Sequence, residues 1–142
     1  MTPQSICANV VRRSRSTFAC AFRTLDPDRR DALESIYAFC RHTDDLVDEA
    51  AGDRLALLDA WERDLRRCPD GAPEHPVLVA LQDALRRHPM PLDPFLTLIE
   101  ANRMDQRSTR YPTYQDVLHY CDHSANPVGR MVLYVFGYSD AE

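Results

Sequence analysis

The pattern of apolar and polar positions along the chain is helical almost throughout. Apolar residues recur every three or four positions, and short runs rich in proline and glycine separate the segments in which they do so. This pattern predicts an all-α protein with helices over residues 3–13, 17–24, 28–50, 53–67, 77–88, 95–106 and 114–137. Pro127 is expected to divide the last segment into two helical pieces.

The clearest predicted helix lies between Asp26 and Gly52. Asp26 can cap its first turn, Pro27 suits the first helical position, and Asp28 complements the positive end of the helix dipole. Gly52 can end the helix, because glycine readily adopts the left-handed conformation found after a last turn. These signals agree with one another, so we expect a long and well-defined helix here.

A helical wheel of this segment separates a core side from a charged side. The wedge expected in the core contains Leu33, Ile36, Cys40, Thr43 and Val47. A neighbouring wedge contains Tyr37, Arg41, Asp44 and Asp48, whereas Asp45 is expected further round, towards solvent.

Two other segments carry predictions about burial. In residues 53–67, a stripe formed by Leu55, Leu58, Trp61 and Leu65 is expected to pack in the core. Residues 128–136 are apolar nearly all round, so this segment is expected to be buried on all sides.

Asp44 and Asp48 form the most informative pair in the sequence. As i, i+4 neighbours their Cβ atoms lie roughly 5–6 Å apart. Near an apolar surface, two unpaired carboxylates raise each other's pKa, and a divalent cation such as Mg²⁺ would remove that conflict. Arg41, one turn away, adds a bidentate donor for an anion. The spacing is therefore consistent with a metal–diphosphate site, although acidic clusters near a helix end are more commonly just solvated surface.

Composition narrows the class of protein. The 142 residues suffice for one domain, and the net charge of −5, with acidic and basic residues interspersed, is not that of a nucleic-acid-binding protein. The five cysteines are odd in number and include no CxxC pair, which predicts reduced thiols in a cytoplasmic protein. No segment approaches the 18 apolar residues of a membrane-spanning helix.

Two separated stretches resemble the squalene/phytoene synthase family. The first, STFACAFRTL followed by RRDALESIYAFCRHTDDLVDE, contains the motif Tyr-x-x-x-Arg-x-x-Asp-Asp-x-x-Asp at Tyr37, Arg41, Asp44, Asp45 and Asp48. The second is EANRMDQRSTRYPTYQDVLHYCDHSANPVGRMVLYVFG. Its SANPVGR segment, and an alanine at position 101 where the phytoene branch usually has glycine, are more similar to the hydroxysqualene synthase branch of bacterial hopanoid synthesis.

The resemblance implies an all-α isoprenoid synthase fold, with Mg²⁺ as cofactor and a prenyl diphosphate (farnesyl or presqualene diphosphate) as substrate. It implies that Asp44 and Asp48 hold Mg²⁺ and act in catalysis with Tyr37. Arg41 is then expected to pair with diphosphate oxygens. The expected products are squalene or hydroxysqualene.

The resemblance also assigns expected roles to residues outside the aspartate motif. Asp105 matches the family's central acid, Asn102 shares its cavity-facing stripe, and Tyr120 matches a cavity tyrosine. Ser16 and Thr17 match a phosphate-contacting segment. The alternatives are a surface acid for Asp105, a core tyrosine for Tyr120, and a helix cap formed by the two hydroxyl residues.

The family's second aspartate-rich motif, expected after the Val-Gly segment, is not found in this sequence. The chain is therefore expected to correspond to the N-terminal half of a family member, without synthase activity on its own. Two hypotheses stay open. The chain is either a prenyltransferase half that works with a complementary C-terminal half or by self-association, or a non-catalytic helical remnant or interaction module. Peripheral membrane association is expected if an apolar product is released.

Overall fold

A computed structural model of the chain describes residues 1–48, 52–107 and 110–138, and all regular structure in these ranges is α-helical. The all-α prediction is thus confirmed. The helices are α1 (Pro3–Ser14), α2 (Thr17–Phe22), α3 (Pro27–Asp48), α4 (Arg54–Arg67), α5 (Pro76–Arg87), α6 (Asp93–Arg107), α7 (Tyr114–Ser124) and α8 (Asn126–Val135). Within the same ranges, none of these helices is long and apolar enough to cross a membrane.

The signals at the helix ends act as predicted where they can be seen. Helix α3 begins at Pro27, and Oδ1 of Asp26 accepts a hydrogen bond from the backbone N–H of Arg29 at 3.1 Å. The predicted end of this helix near residue 50 lies outside the described residues. Pro127 is the second residue of α8, so it separates α8 from α7 as expected.

Helix α3 is the centre of the fold and contacts α1, α2, α4, α5, α6 and α8. Four of its five predicted core residues are buried, namely Leu33, Ile36, Thr43 and Val47, and Cys40 is half-buried. A helix packed on so many sides has little freedom to rotate or shift. The backbone positions of the residues on its remaining face are therefore fixed relative to the neighbouring helices.

An aromatic cluster fixes α3 against α4 and α6. The ring of Phe39 stacks on Trp61 with centroids 5.5 Å apart, and it meets Phe95 edge-on at 5.3 Å. The buried indole N–H of Trp61 donates a hydrogen bond to Oγ1 of Thr43 at 3.0 Å. The indole is thus buried with its polar atom satisfied, as aromatic residues in protein cores require.

Two burial predictions are wrong in part. In α4, Leu58, Trp61 and Leu65 are buried, but Leu55 is 40% exposed because it lies in the first turn, at the edge of the packed surface.

The segment over residues 128–136 is buried on one side only. Met131 and Val135 are buried, whereas Leu133 is 51% exposed and Phe136 is 37% exposed. The reason is that α8 packs against α3, α6 and α7 through one face, and no described element covers the other face. An apolar sequence alone could not distinguish the two sides.

Candidate functional site

The charged face of α3 lies directly beside its buried side. Tyr37 is half-buried there, and Arg41, Asp44 and Asp48 are exposed. Asp45, expected to point to solvent, has a side chain that is 35% exposed, and its Oδ1 lies 3.2 Å from Nε of Arg41. The Arg41 side chain thus runs along the helix surface to its i+4 neighbour.

Asp44 lies at the border between α3 and α6. Although its side chain keeps access to solvent, burial against α6 raises the pKa of Asp44, and the negative charge of Asp48 raises that pKa further. A hydrogen bond from Asn102 acts in the opposite direction. Asn102 is buried on α6, and its Nδ2 also donates to the carbonyl of Leu98 at 3.1 Å. The carboxylate of Asp44 therefore lies beside a side chain of a second helix.

Asp105 extends this polar region from α6 to α7. Its two carboxylate oxygens accept hydrogen bonds from the hydroxyl groups of Tyr111, at 2.9 Å, and Tyr120, at 2.8 Å. Burial raises the pKa of Tyr120 to about 12, with further contributions from Asp105, Tyr111 and Asp44. Because the charge of Asp44 acts on Tyr120, the structure brings Asp44, Asn102, Asp105 and Tyr120 into one neighbourhood.

An apolar cavity of about 500 Å³ lies beside the charged face, between α2, α3 and α8. Its lining includes Phe18, Phe22, Ile36, Tyr37, Cys40 and Val132. Tyr37 belongs both to this lining and to the charged face. Burial raises the pKa of Cys40 to about 12, and the charge of Asp44 contributes to that rise. The cavity thus runs up to the first aspartate of the pair.

The structure gives Ser16 and Thr17 no clear place in this site. Ser16 occupies the N-cap position of α2, but its hydroxyl lies 2.9 Å from that of Ser14 and caps no backbone amide. Thr17 is exposed. Helix α2 instead reaches the site through Phe18, whose ring centroid lies 6.0 Å from that of Tyr37.

Sequence reasoning missed Tyr111 and the cavity walls formed by α2 and α8. Tyr111 lies between the predicted helices over residues 95–106 and 114–137, where the sequence pattern assigns no site residue. Its proximity to Asp105 depends on how this loop returns to α6, and the spacing in the sequence does not reveal that. The two phenylalanines of STFACAF, which line the cavity, were the feature of the sequence from which the α2 wall could have been predicted.

The raised pKa of Asp44 predicts that Asp44→Asn stabilises the fold at neutral pH. A carboxyl group whose pKa is higher in the folded than in the unfolded chain favours the folded state when protonated, so its ionisation destabilises that state as pH rises. Removing the charge should raise the free energy of unfolding by a few tenths of a kcal/mol to about 1 kcal/mol, given the solvent access of the group. Urea denaturation at neutral pH and below the ordinary pKa of aspartate measures this difference, which should vanish in acid.

The matched control is Asp70→Asn, which makes the same charge change on an exposed loop residue. An equal gain in both variants would mean that the chain's net negative charge, and not the position of Asp44, determines the result.

Comparison with known proteins identifies relatives along nearly the whole chain. The sequence model of the family described as squalene/phytoene synthase matches residues 11–142. A 15-cis-phytoene synthase of Synechococcus elongatus is 41% identical over 133 residues, which cover 92% of this chain and 43% of that protein. A phytoene synthase of Arthrospira platensis is 36% identical over 139 residues, covering 96% of this chain and 45% of the relative.

Solved structures confirm the predicted isoprenoid synthase fold. The crystal structure of squalene synthase HpnC from Alicyclobacillus acidocaldarius matches with a TM-score of 0.89 and 44% identity, over 98% of this chain and 53% of that one. A dehydrosqualene synthase in complex with ligand matches with a TM-score of 0.86 and 29% identity, over 94% and 47% of the two chains. The chain spans about half the length of these relatives. With a family model matching residues 11–142 and the family's aspartate motif on one face of α3 beside an apolar cavity, the chain belongs to the squalene/phytoene synthase family.

Proposed function

We propose that the chain provides the cavity and the first diphosphate-binding face of a Mg²⁺-dependent prenyl diphosphate transferase. The observation that carries this proposal is the continuity along α3, where Tyr37 and Cys40 line the apolar cavity and Asp44 follows one turn later. A ligand with an apolar chain and a diphosphate head requires these two surfaces side by side. The cavity of about 500 Å³ is within the range of small-molecule sites.

The residues of the charged face suit Mg²⁺. Asp44 and Asp48 supply hard oxygen donors, and the charge of Asp48 that raises the pKa of Asp44 is a repulsion that a cation would relieve. Within the described parts of the chain, no group of three or more His, Cys, Asp and Glu side chains is placed to hold a metal ion. One or two carboxylates, with water and phosphate oxygens as the remaining ligands, are typical of Mg²⁺. When bound, the ion would neutralise charge on the leaving diphosphate.

Arg41 would bind the diphosphate directly. Its guanidinium is paired with Asp45 at 3.2 Å, and both side chains are partly exposed. Exposed ion pairs of this kind contribute about 0–1 kcal/mol, so a diphosphate with two or more negative charges can replace Asp45 at little cost. Asp45 would then hold the arginine in position until the substrate arrives.

The remaining site residues would act on the hydrocarbon part of the substrate. The ring of Tyr37 lies where the cavity meets the acids, and an aromatic face there would stabilise positive charge on an allylic carbon. Asp105, Asn102 and Tyr120 border the same region from α6 and α7. Ser16 and Thr17 remain candidate phosphate contacts at the start of α2.

The reaction that fits these groups couples two prenyl chains head to head. Loss of diphosphate from one farnesyl diphosphate leaves an allylic cation, which the double bond of a second molecule attacks. Loss of a proton then closes the cyclopropane ring of presqualene diphosphate. After loss of the second diphosphate the cation rearranges, and addition of water with release of a proton gives hydroxysqualene. We favour this product and a place in hopanoid synthesis over phytoene because of the SANPVGR segment.

A second candidate function is a non-catalytic helical module. The exposed apolar side chains of α7 and α8, such as Tyr114 and Leu133, favour packing against another element, which would be a complementary half or a second copy. For either function, the five free cysteines support the cytoplasm as the proposed compartment.

Calorimetric titration with pyrophosphate, with and without Mg²⁺, tests the proposed site. We expect binding in the millimolar range, about −4 kcal/mol, in the presence of Mg²⁺, and weaker binding without it. The double variant Asp44→Asn, Asp48→Asn should lose the dependence on Mg²⁺. Arg41→Ala should weaken binding even without metal, because the arginine contributes its own positive charge.

Matched controls remove the same charges elsewhere on the surface. Asp64→Asn with Asp70→Asn, and separately Arg63→Ala, alter exposed residues of α4 and the loop that follows it. A pyrophosphate affinity that changes neither with Mg²⁺ nor on replacement of Asp44 and Asp48 would contradict the proposed site and favour the helical module. A product assay with farnesyl diphosphate tests the proposed squalene-type chemistry, for which a C30 product is expected.

A further inference from the structure

Helices α1, α2 and α3 enclose a groove of about 220 Å³ that is separate from the apolar cavity. Its charged lining consists of Arg12 from α1, Arg23 directly after α2, and Arg30 and Glu34 from α3. Three guanidinium groups and one carboxylate leave an excess of two positive charges. The volume is below the range of about 300–1,000 Å³ that is typical of sites for drug-sized ligands, so the groove suits a small anion.

The groove arginines lack the ion pairs that arginines make elsewhere in the fold. Arg66 and Arg87, for example, lie 3.2 Å and 3.1 Å from carboxylate oxygens of their i−4 neighbours. Within the parts of the chain that the structure describes, no carboxylate comes within ion-pair distance of Arg12, Arg23 or Arg30. Like charges around one concavity repel one another, and an anion bound among them removes that repulsion.

Glu34 is the one acid among the described residues of the groove lining, and it is a poor partner for the arginines. Burial raises the pKa of Glu34, and the charge of Asp31 adds to this rise. A hydrogen bond from Nε2 of Gln4, at 3.5 Å, and the charges of Arg30 and Arg12 act in the opposite direction without reversing the rise. The protein itself therefore supplies the groove with little compensating negative charge.

Helix α2 forms a wall of both the groove and the apolar cavity. It is only six residues long and none of its residues is buried, so its own packing holds it weakly. Ala19 of α2 lines the groove, whereas Phe18 and Phe22 line the cavity. A ligand that bridges the groove arginines joins α2 to the two longer helices and thereby also fixes this wall of the cavity.

We propose that the groove binds a free phosphate dianion, such as inorganic phosphate or a phosphomonoester, at a site separate from the acids of α3. A guanidinium can donate two parallel hydrogen bonds to phosphate oxygens, so each arginine contributes direction as well as charge. Arg12 and Arg23 are exposed, and solvent and salt weaken their attraction for the anion. We therefore expect a dissociation constant of roughly 1 mM.

Calorimetric titration of the purified chain with inorganic phosphate, in mildly alkaline buffer at constant ionic strength and without Mg²⁺, tests the proposal. Replacing Arg12, Arg23 and Arg30 together with glutamine should weaken binding roughly a hundredfold. Glu34→Gln should strengthen it roughly fivefold, because the competing carboxylate is removed while the shape of the side chain is kept. Dimethyl phosphate, a monoanion with the charge of a phosphodiester, should bind roughly tenfold more weakly than phosphate.

Matched controls make the same changes elsewhere on the surface. Arg54, Arg63 and Arg86, three exposed arginines of α4 and α5, are replaced together with glutamine, and Glu74→Gln removes an exposed carboxylate. An equal loss in the arginine control, or an equal gain with Glu74→Gln, would mean that net charge determines the affinity and would overturn the proposal. Equal affinity for phosphate and dimethyl phosphate would overturn it as well.

Thermal denaturation provides a second measurement. Phosphate at about ten times its dissociation constant should raise the Tm of the wild type by roughly 3 °C more than that of the groove variant. If the triple variant is unfolded, the double variant of the exposed Arg12 and Arg23 replaces it, with a roughly thirtyfold loss of affinity expected.

The groove substitutions leave the α3 acids and Arg41 unchanged, and the buffer contains no Mg²⁺. Phosphate bound at the α3 face would therefore survive these substitutions, and that result would overturn the groove site without affecting the proposed enzyme site. Failure of the Mg²⁺-dependent pyrophosphate titration would conversely leave the groove site standing.

Discussion

Replacing Phe39 with alanine is expected to lower the free energy of unfolding by about 3–5 kcal/mol. Its side chain is fully buried, and its ring packs on Trp61 of α4 and Phe95 of α6. Alanine would lose the transfer free energy of the ring and leave a cavity where three helices meet, which the surrounding side chains cannot fill. Against a total stability of about 5–15 kcal/mol for a small protein, this is a large fraction.

Urea denaturation followed by the fluorescence of Trp61 measures this effect. Trp61 is the sole tryptophan of the chain and touches the altered ring, so its emission reports the region directly. The control is Phe18→Ala, the same chemical change at a side chain that is 54% exposed, with an expected loss below about 1 kcal/mol. Equal losses at the two positions would mean that the aromatic cluster is not the centre of the core.

The sequence predicted α3 well because its signals are local. The cap at Asp26, the proline at the first helical position and the apolar stripe are all set within a few residues of chain. The stripe identified which side of α3 is buried, and the neighbouring wedge placed Tyr37, Arg41 and Asp44 on the adjoining face. Helical periodicity is sufficient for predictions of this kind.

Contacts between helices did not follow from the periodicity of the sequence, although the family resemblance assigned Asp105 and Tyr120 to one site. The hydrogen bonds from Tyr111 and Tyr120 to Asp105 join a loop and α7 to α6, and no pattern in the sequence specifies that meeting. The exposure of Leu133 depends on which face of α8 finds a neighbour. The cavity likewise arises where α8 packs beside α2 and α3, from which it is distant in sequence. Tertiary packing determines each of these features, and it overrides local propensity.

Helix α3 contributes both to the core and to the candidate site, so the packing of its buried side also fixes the geometry of the site. Thr43 and Phe39 fix α3 through contacts with Trp61, and Asp44 is the next residue after Thr43. A carboxylate pair can serve a metal ion only if its geometry is held by well-packed neighbours. The repulsion between Asp44 and Asp48 is then a cost that the buried side of the same helix offsets.

A second large loss of stability is expected for Arg103→Met. The Arg103 side chain, only 13% exposed, joins α6 to α4 through contacts of 2.8 Å with both Asp59 and Glu62, and it lies 3.3 Å from Glu100. Methionine would preserve much of the packing volume but leave the carboxylates without their common partner. We expect a loss of about 2 kcal/mol, because breaking a buried ion pair is costly but these carboxylates can regain water.

The pH dependence of that loss separates the ion pairs from packing. The hydrogen bond from Arg103 holds the pKa of Glu62 below its ordinary value. Stability from such a group is present above the ordinary pKa of glutamate and is lost as pH falls through the lower pKa of the folded state. Urea denaturation should therefore show that the difference in free energy of unfolding between wild type and Arg103→Met becomes smaller in acid.

Arg66→Met is the control, because Arg66 also pairs with Glu62, at 3.2 Å, but is 58% exposed. Its loss of unfolding free energy should stay below about 0.5 kcal/mol. A difference for Arg103→Met that persists unchanged in acid would attribute the effect to the packing of the arginine side chain and not to its charge.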